Sequence, residues 1–175
     1  HKIYHHLWET NYKHIFLGKG ACVSIATAYE DVFLDTFNLE IDLKPTVKIS
    51  RHNIPPFIPL NNLAEQNNMQ TDLRVFLDTL SKHLNAFAGR KQQLKLVKEK
   101  HKSVEVMESN VLCSLLVLLF TVPREKTAVL CTLDYTDHTR CLPTRVHLES
   151  EGRSFTFIFR LLFEYPKLLL LYKYW

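Results

Sequence analysis

A chain of 175 residues with 46% hydrophobic side chains and only four glycines is too apolar for a disordered or low-complexity protein. Its formal net charge of +4, from 22 basic and 18 acidic residues, permits an acidic partner but does not mark a dedicated nucleic-acid binder. At this length the chain is one ordinary domain or two small ones, and each of two halves would sit near the lower limit for a self-sufficient core.

The cysteines Cys22, Cys113, Cys131 and Cys141 lie far apart with no C-x-x-C, so they signal neither a zinc site nor a redox pair. Read as buried thiols in a chain without a signal peptide, they point to a reducing compartment such as cytosol or nucleus. Because the chain begins at His1 and not at Met, a targeting signal ahead of it would be invisible.

The opening segment, HKIYHHLWETNYKHIFLGKG, has no clear period and reads as a polar lead-in. His5 and His6 are adjacent and point apart, and His14 has no partner at metal-ligand spacing, so the histidines form a surface cluster. Ala21 to Tyr29 puts Val23, Ile25 and Thr27 on one face and Cys22, Ser24 and Ala26 on the other. Over Val32 to Leu43, Phe37, Leu39, Ile41 and Leu43 alternate with polar residues, which is a half-buried strand. Glu30-Asp31 between the two runs suits a hairpin, without the Asn-Gly signature. A third strand runs from Val47 to Ser50.

In Ile54-Pro55-Pro56-Phe57-Ile58-Pro59, three prolines fix φ near −65° and remove three backbone donors, so the chain must turn. Phe57 and Ile58 are expected beneath that turn. From Leu73 the apolar residues fall at Leu73, Phe76, Leu77, Leu80, Leu84 and Phe87, one face of a helix. Thr71 is its expected N-cap, and Gly89 stands where a left-handed terminator would. A helix running on would carry Lys91 onto the stripe of Leu84 and Phe87, and long charges are rarely buried unpaired. The helix therefore breaks at Gly89 or projects past the domain, with Leu94, Val97 and Val104 as a rotated minor stripe. Lys91, Lys95, Lys98 and Lys102, at i, i+4, i+7 and i+11, form the solvated face of a connecting helix or a clamp for phosphate or an acidic partner. Glu99 and Glu105 dilute their field and no aromatic side chain interleaves, which favours the solvated face.

Val111 to Val122 is apolar on all sides apart from Ser114 and Thr121 and too short to cross a bilayer, so it is a buried helix or a central strand. After a polar turn at 123–126, Val129, Cys131, Leu133 and Tyr135 alternate as a further strand. Thr136-Asp137-His138 turns, and Arg140 to Glu149, interrupted by Pro143, reads as an edge strand with Val146 and Leu148 inward. The tail, SFTFIFRLLFEYPKLLLLYKYW, is interrupted by Arg160, Glu164, Pro166 and Lys167, so it reads as a soluble segment and not as a membrane anchor.

No G-x-S-x-G, phosphate loop, H-E-x-x-H or suggestive carboxylate pair is present, so catalysis, a cofactor and a small-molecule substrate are not expected. The apolar second half and exposed strand edges hold more hydrophobic surface than this length readily buries, which points to a protein partner.

The stretches RHNIPPFIPL, NNLAEQ and FLDTLSKHLNAFAGRK resemble the centromere protein O family of kinetochore subunits, best over residues 29–119. Pro55-x-x-x-Pro59, with Phe57 between, is similar to the proline turn of RWD domains, although Ile54 stands where those domains commonly have Tyr. The resemblance implies an α+β fold of two RWD-like domains, each an antiparallel sheet of about four strands packed against helices. The first would span 1–102 with a long C-terminal helix, and the second 103–175, left incomplete by a tail unlike the family's closing helix. It also implies a non-enzymatic, nuclear subunit of the constitutive centromere-associated network, paired with centromere protein P in an assembly with centromere proteins Q, U and R. Because RWD domains resemble ubiquitin-conjugating enzymes in shape, Cys113 or Cys131 would be the thiol to examine, but apolar surroundings make both inert. A ubiquitin-pathway adaptor of the same fold is the second reading, and a weak nucleic-acid contact through the lysines the third.

Overall fold

The computed structural model describes residues 4–5, 12–100, 102–122 and 127–150, with no side chains described before residue 18. His5 and His14 of the expected histidine cluster are partners in the β-ladder of the opening strands, while His6, the turn at 123–126 and the tail at 154–175, on which the completeness of a second domain depends, lie outside the described residues. Two units are present, His1–Gln92 with His138–Cys141, and Gln93–Asp137 with Leu142–Trp175.

The first unit carries an antiparallel sheet in the order β1-β2-β3-β4-β5, formed by Tyr4–His5, Tyr12–Leu17, Gly20–Tyr29, Val32–Asp42 and Lys48–His52. It has five strands where about four were expected, because the opening segment is no lead-in: β2 pairs with β3 from Tyr12↔Ile25 to Leu17↔Gly20. The alternations of β3 and β4 are realised, with Ala21, Val23, Ile25, Thr27, Phe37, Leu39 and Ile41 all buried. Thr27 is the polar member of that face. The β3/β4 ladder shifts register between Ala26 and Ala28, and there the Thr27 hydroxyl donates to the Asp35 carbonyl at 3.0 Å and accepts from its N–H at 3.1 Å. One side chain thus replaces the ladder bonds that the bulge removes. At the hairpin, Glu30 and Asp31 have φ of 47° and 62°, the two positive values of a type I′ loop, reached without Asn or Gly.

The proline corner closes through a bond from Ile58 N–H to the Pro55 carbonyl at 3.0 Å and leads into helix α1, Leu60–Gln66. Helix α2, Leu73–Lys100, begins one residue later than a Thr71 cap would set it. The cap is Asp72, whose Oδ1 accepts from the N–H groups of Arg74 and Val75 at 3.1 and 3.2 Å, while Thr71 Oγ1 donates to the Asn68 carbonyl. An acid here suits the positive end of the helix dipole.

Gly89 does not end α2; the helix runs through it for eleven more residues. A Cβ at Gly89 would lie 2.6 Å from Cys141 Sγ and 3.4 Å from Tyr29 Cδ2, so glycine serves close approach here and not a left-handed turn. Lys91 is spared burial because the buried surface leaves the Leu84 stripe. Ala86, Phe87, Ala88, Gly89 and Arg90 are all buried, so the helix is enclosed on every side for more than a turn, and the next buried residue is Leu94.

In the second unit Leu94 and Val97 pack with Val104, Leu116, Leu118, Phe120, Val129, Cys131, Leu133 and Tyr135. The sheet order is β6-β7-β8-β9, all antiparallel, formed by Val104–Ser109, Leu115–Val122, Thr127–Asp134 and Arg145–Ser150. Val104 belongs to β6 and not to a helical stripe. The apolar run at Val111 resolves as central strand β7, but only from Leu115. Its first residues form a turn in which Asn110 Oδ1 accepts from Ser114 and Leu115 N–H at 2.7 and 3.2 Å, and Val111 is left exposed. Strand β9 lies at the sheet edge with Val146 and Leu148 against the cluster, as its alternation predicts.

Two substitutions test these local arguments. Gly89→Ala should destabilise the protein by about 1–3 kcal/mol through overpacking against Cys141, despite alanine's better helix propensity. In a Cys141→Ala background the same change should become neutral or stabilising, a sign reversal that a double-mutant cycle in urea unfolding would reveal. Asp31→Gly, which relieves a positive φ, should raise stability by about 0.5–1 kcal/mol in the same assay.

Candidate interaction surfaces

The residues singled out from the sequence fall into two groups. Phe76, Leu77, Leu80, Leu84 and Phe87 are buried and Leu73 is half-buried, so this stripe is a core element of the first unit. Phe57 is half-buried and meets Phe87 edge to face, with ring centroids 5.0 Å apart at 61°. Pro55 is half-buried and Pro59 exposed, and together they shape the corner that delivers Phe57 to the helix. These residues do structural work and present little to a partner.

Lys91, Lys95, Lys98 and Lys102 are exposed. The first three lie on α2, whereas Lys102 follows the end of the helix and so leaves the geometric stripe. Lys95 Nζ sits 3.9 Å from Glu99 Oε1, with both side chains more than half exposed. Such a pair contributes little and yields readily to a competing anion.

The residue that sequence reasoning missed is Arg90, which has no solvent exposure. Its Nη1 donates to the carbonyls of Arg140 at 2.9 Å and His138 at 3.4 Å, binding the tetrapeptide His138–Cys141 to the helix within the first unit. Beside it, Cys141 Sγ faces the carbonyls of Asn85 and Ala86 at 3.9 and 3.8 Å. The small residues Ala86, Ala88 and Gly89 just ahead of Arg90 were the available signal, because small residues admit backbone where a long stem can lie along it.

Burial pushes Cys131 up to about 12, and burial also raises Cys141, with the neighbouring Arg90 charge opposing it. Cys113 is buried, in a turn with φ of 52°. Among the described residues no group of His, Cys, Asp and Glu could hold a metal ion, and no helix is long and apolar enough to cross a membrane. Large apolar side chains do reach the surface: Val32 and Phe33 next to the β3/β4 turn, Val75 on α2, Met107 on β6 and Val111 in the turn before β7.

The profile of the family described as Cenp-O kinetochore centromere component matches residues 28–150, from the end of β3 to the end of β9. The chain belongs to the centromere protein O family. It is 42% identical over 137 residues to centromere protein O of Xenopus tropicalis, covering 76% of this chain and 45% of the relative. Against the Gallus gallus protein it is 45% identical over 107 residues, 59% of this chain and 32% of the relative. Against the Homo sapiens protein it is 33% identical over 138 residues, 77% and 46% respectively. The chain therefore spans less than half the length of these curated relatives. Centromere protein O is a kinetochore centromere component, so membership assigns the chain to the nucleus and the centromere.

Thiol titration checks the inert-cysteine argument. Cys113 and Cys131 should resist a disulfide reagent at pH 8 until the protein is unfolded, whereas Cys141, half-buried, should react slowly in the native state. The unfolded chain releases the Cys131 proton near 9.0 and the folded chain near about 12. Over that window the folded state holds the proton that the unfolded state has lost, so unfolding free energy should fall as pH rises from 9 to 12. Cys131→Ala should flatten this part of the profile.

Proposed function

We propose that the chain is a non-enzymatic structural subunit of the inner kinetochore, pairing with centromere protein P. Through that heterodimer it holds centromere proteins Q, U and R within the constitutive centromere-associated network. The observation that carries this reading is the family match across residues 28–150, which runs through both sheets and the helices of the described chain. In it the two sheets are RWD-like domains, at 1–102 and 103–175, and Pro55, Phe57 and Pro59 form the proline turn of the first.

Two physical features support a scaffolding role. Burial holds the Cys131 and Cys141 thiols protonated, the opposite of an activated nucleophile. Phe33, Met107 and Val111 are each more than half exposed, a cost to a lone chain that a partner surface would remove.

Light scattering tests the pairing. After co-expression with centromere protein P, the purified chain should run at the mass of a one-to-one complex, and the same chain alone should aggregate or sample several sizes. A monodisperse monomer that ignores the partner would overturn the heterodimer for this chain.

A further inference from the structure

The charge of this protein is not spread along it. Between Lys91 and Lys102 stand five lysines and one glutamate, so this segment carries the whole formal net charge of +4, and acids and bases elsewhere balance. All five lysines are exposed. Lys91, Lys95 and Lys98 fall within about 60° of one another around α2, stepping along its axis by about 6 and 4.5 Å. The only carboxylate in the segment, Glu99, is held in the weak surface pair with Lys95.

We propose that this exposed flank of α2 binds the phosphate backbone of duplex DNA without reading its sequence. The composition of the flank selects that partner. A docked peptide takes apolar anchors at helical or alternating spacing, and no exposed apolar side chain lies between Lys91 and Lys102. Base reading is served best by the fixed planar forks of Arg, Asn or Gln at a groove edge, but here Gln92 and Gln93 are half-buried and the exposed cations are lysines, flexible point charges with no such fork. What remains is a row of point charges. That suits a polyanion carrying one charge per about 1.7 Å of axis, whose condensed counterions are released on contact. The contact rests on the charge of this helix alone and stands independently of the pairing with centromere protein P.

Fluorescence anisotropy of the full chain with two labelled 30-base-pair duplexes of unrelated sequence tests it. Both duplexes should bind alike, and a slope of about −2.7 against log salt, from three lysine–phosphate contacts, predicts an affinity loss of about 40-fold from 50 to 200 mM NaCl. The triple change Lys91→Glu, Lys95→Glu and Lys98→Glu should abolish binding with an unchanged urea midpoint. The triple Lys→Gln variant, which keeps helix propensity, should lose it too. Absence of binding at 50 mM salt, full binding by either triple variant, or equal binding of poly-glutamate at matched charge would overturn the proposal; the last would reassign the flank to an acidic protein segment.

Discussion

A guanidinium removed from water must find its hydrogen-bond partners inside the protein, and for Arg90 these include the carbonyls of His138 and Arg140. That requirement ties a tetrapeptide from late in the sequence to the middle of α2. The other features of the region follow from it. Gly89 has to lack a side chain for Cys141 to approach, Ala86 and Ala88 keep the neighbouring surface shallow, and the Asn85 side chain reaches the Ala28 N–H at 3.2 Å where β3 nears its end. A helix enclosed on all sides cannot fray at its glycine, and so it continues to Lys100.

That continuation lets one helix serve two purposes. Its first part supplies the apolar stripe from Phe76 to Phe87, its later part contributes Leu94 and Val97 to the second cluster, and its exposed flank is left to lysines. The division follows from the helical period: once Arg90 and Leu94 take the buried positions, Lys91, Lys95 and Lys98 are turned outward. Core packing and surface charge are consequences of a single phase along α2.

Features with a strong period were legible beforehand. The stripe of α2, the alternation of β4 and the outward and inward faces of β3 all follow from residue order, and the cluster of prolines marked its corner. Each misreading has a physical source. Tyr12–Leu17 reads YKHIFL, with Lys13 and His14 adjacent in sequence, so no apolar alternation marks β2. Val104–Ser109 does alternate at first, but Lys102 continued the helical lysine spacing and hid the start of β6. Glycine has two uses, positive φ and close approach, and which applies at Gly89 depends on Cys141, more than fifty residues away. The partners of Arg90 were hidden for a similar reason: they are carbonyls, which every residue possesses, and only the small residues beside it hinted at a close approach. Family membership was legible from the proline corner and the α2 segment, whereas which surface meets a partner was not, since single exposed apolar residues carry no period.

The concentration of charge on one segment also governs how the molecule behaves among its own copies. Outside Lys91–Lys102 the acids and bases cancel, so mutual repulsion between copies originates in a single patch. Salt that screens this patch, or an anion that covers it, leaves a nearly neutral surface with Phe33, Met107 and Val111 exposed. The colloidal stability of the chain is thereby linked to the occupancy of one helix flank, and crowding at a chromosomal site would favour assembly once that flank is filled.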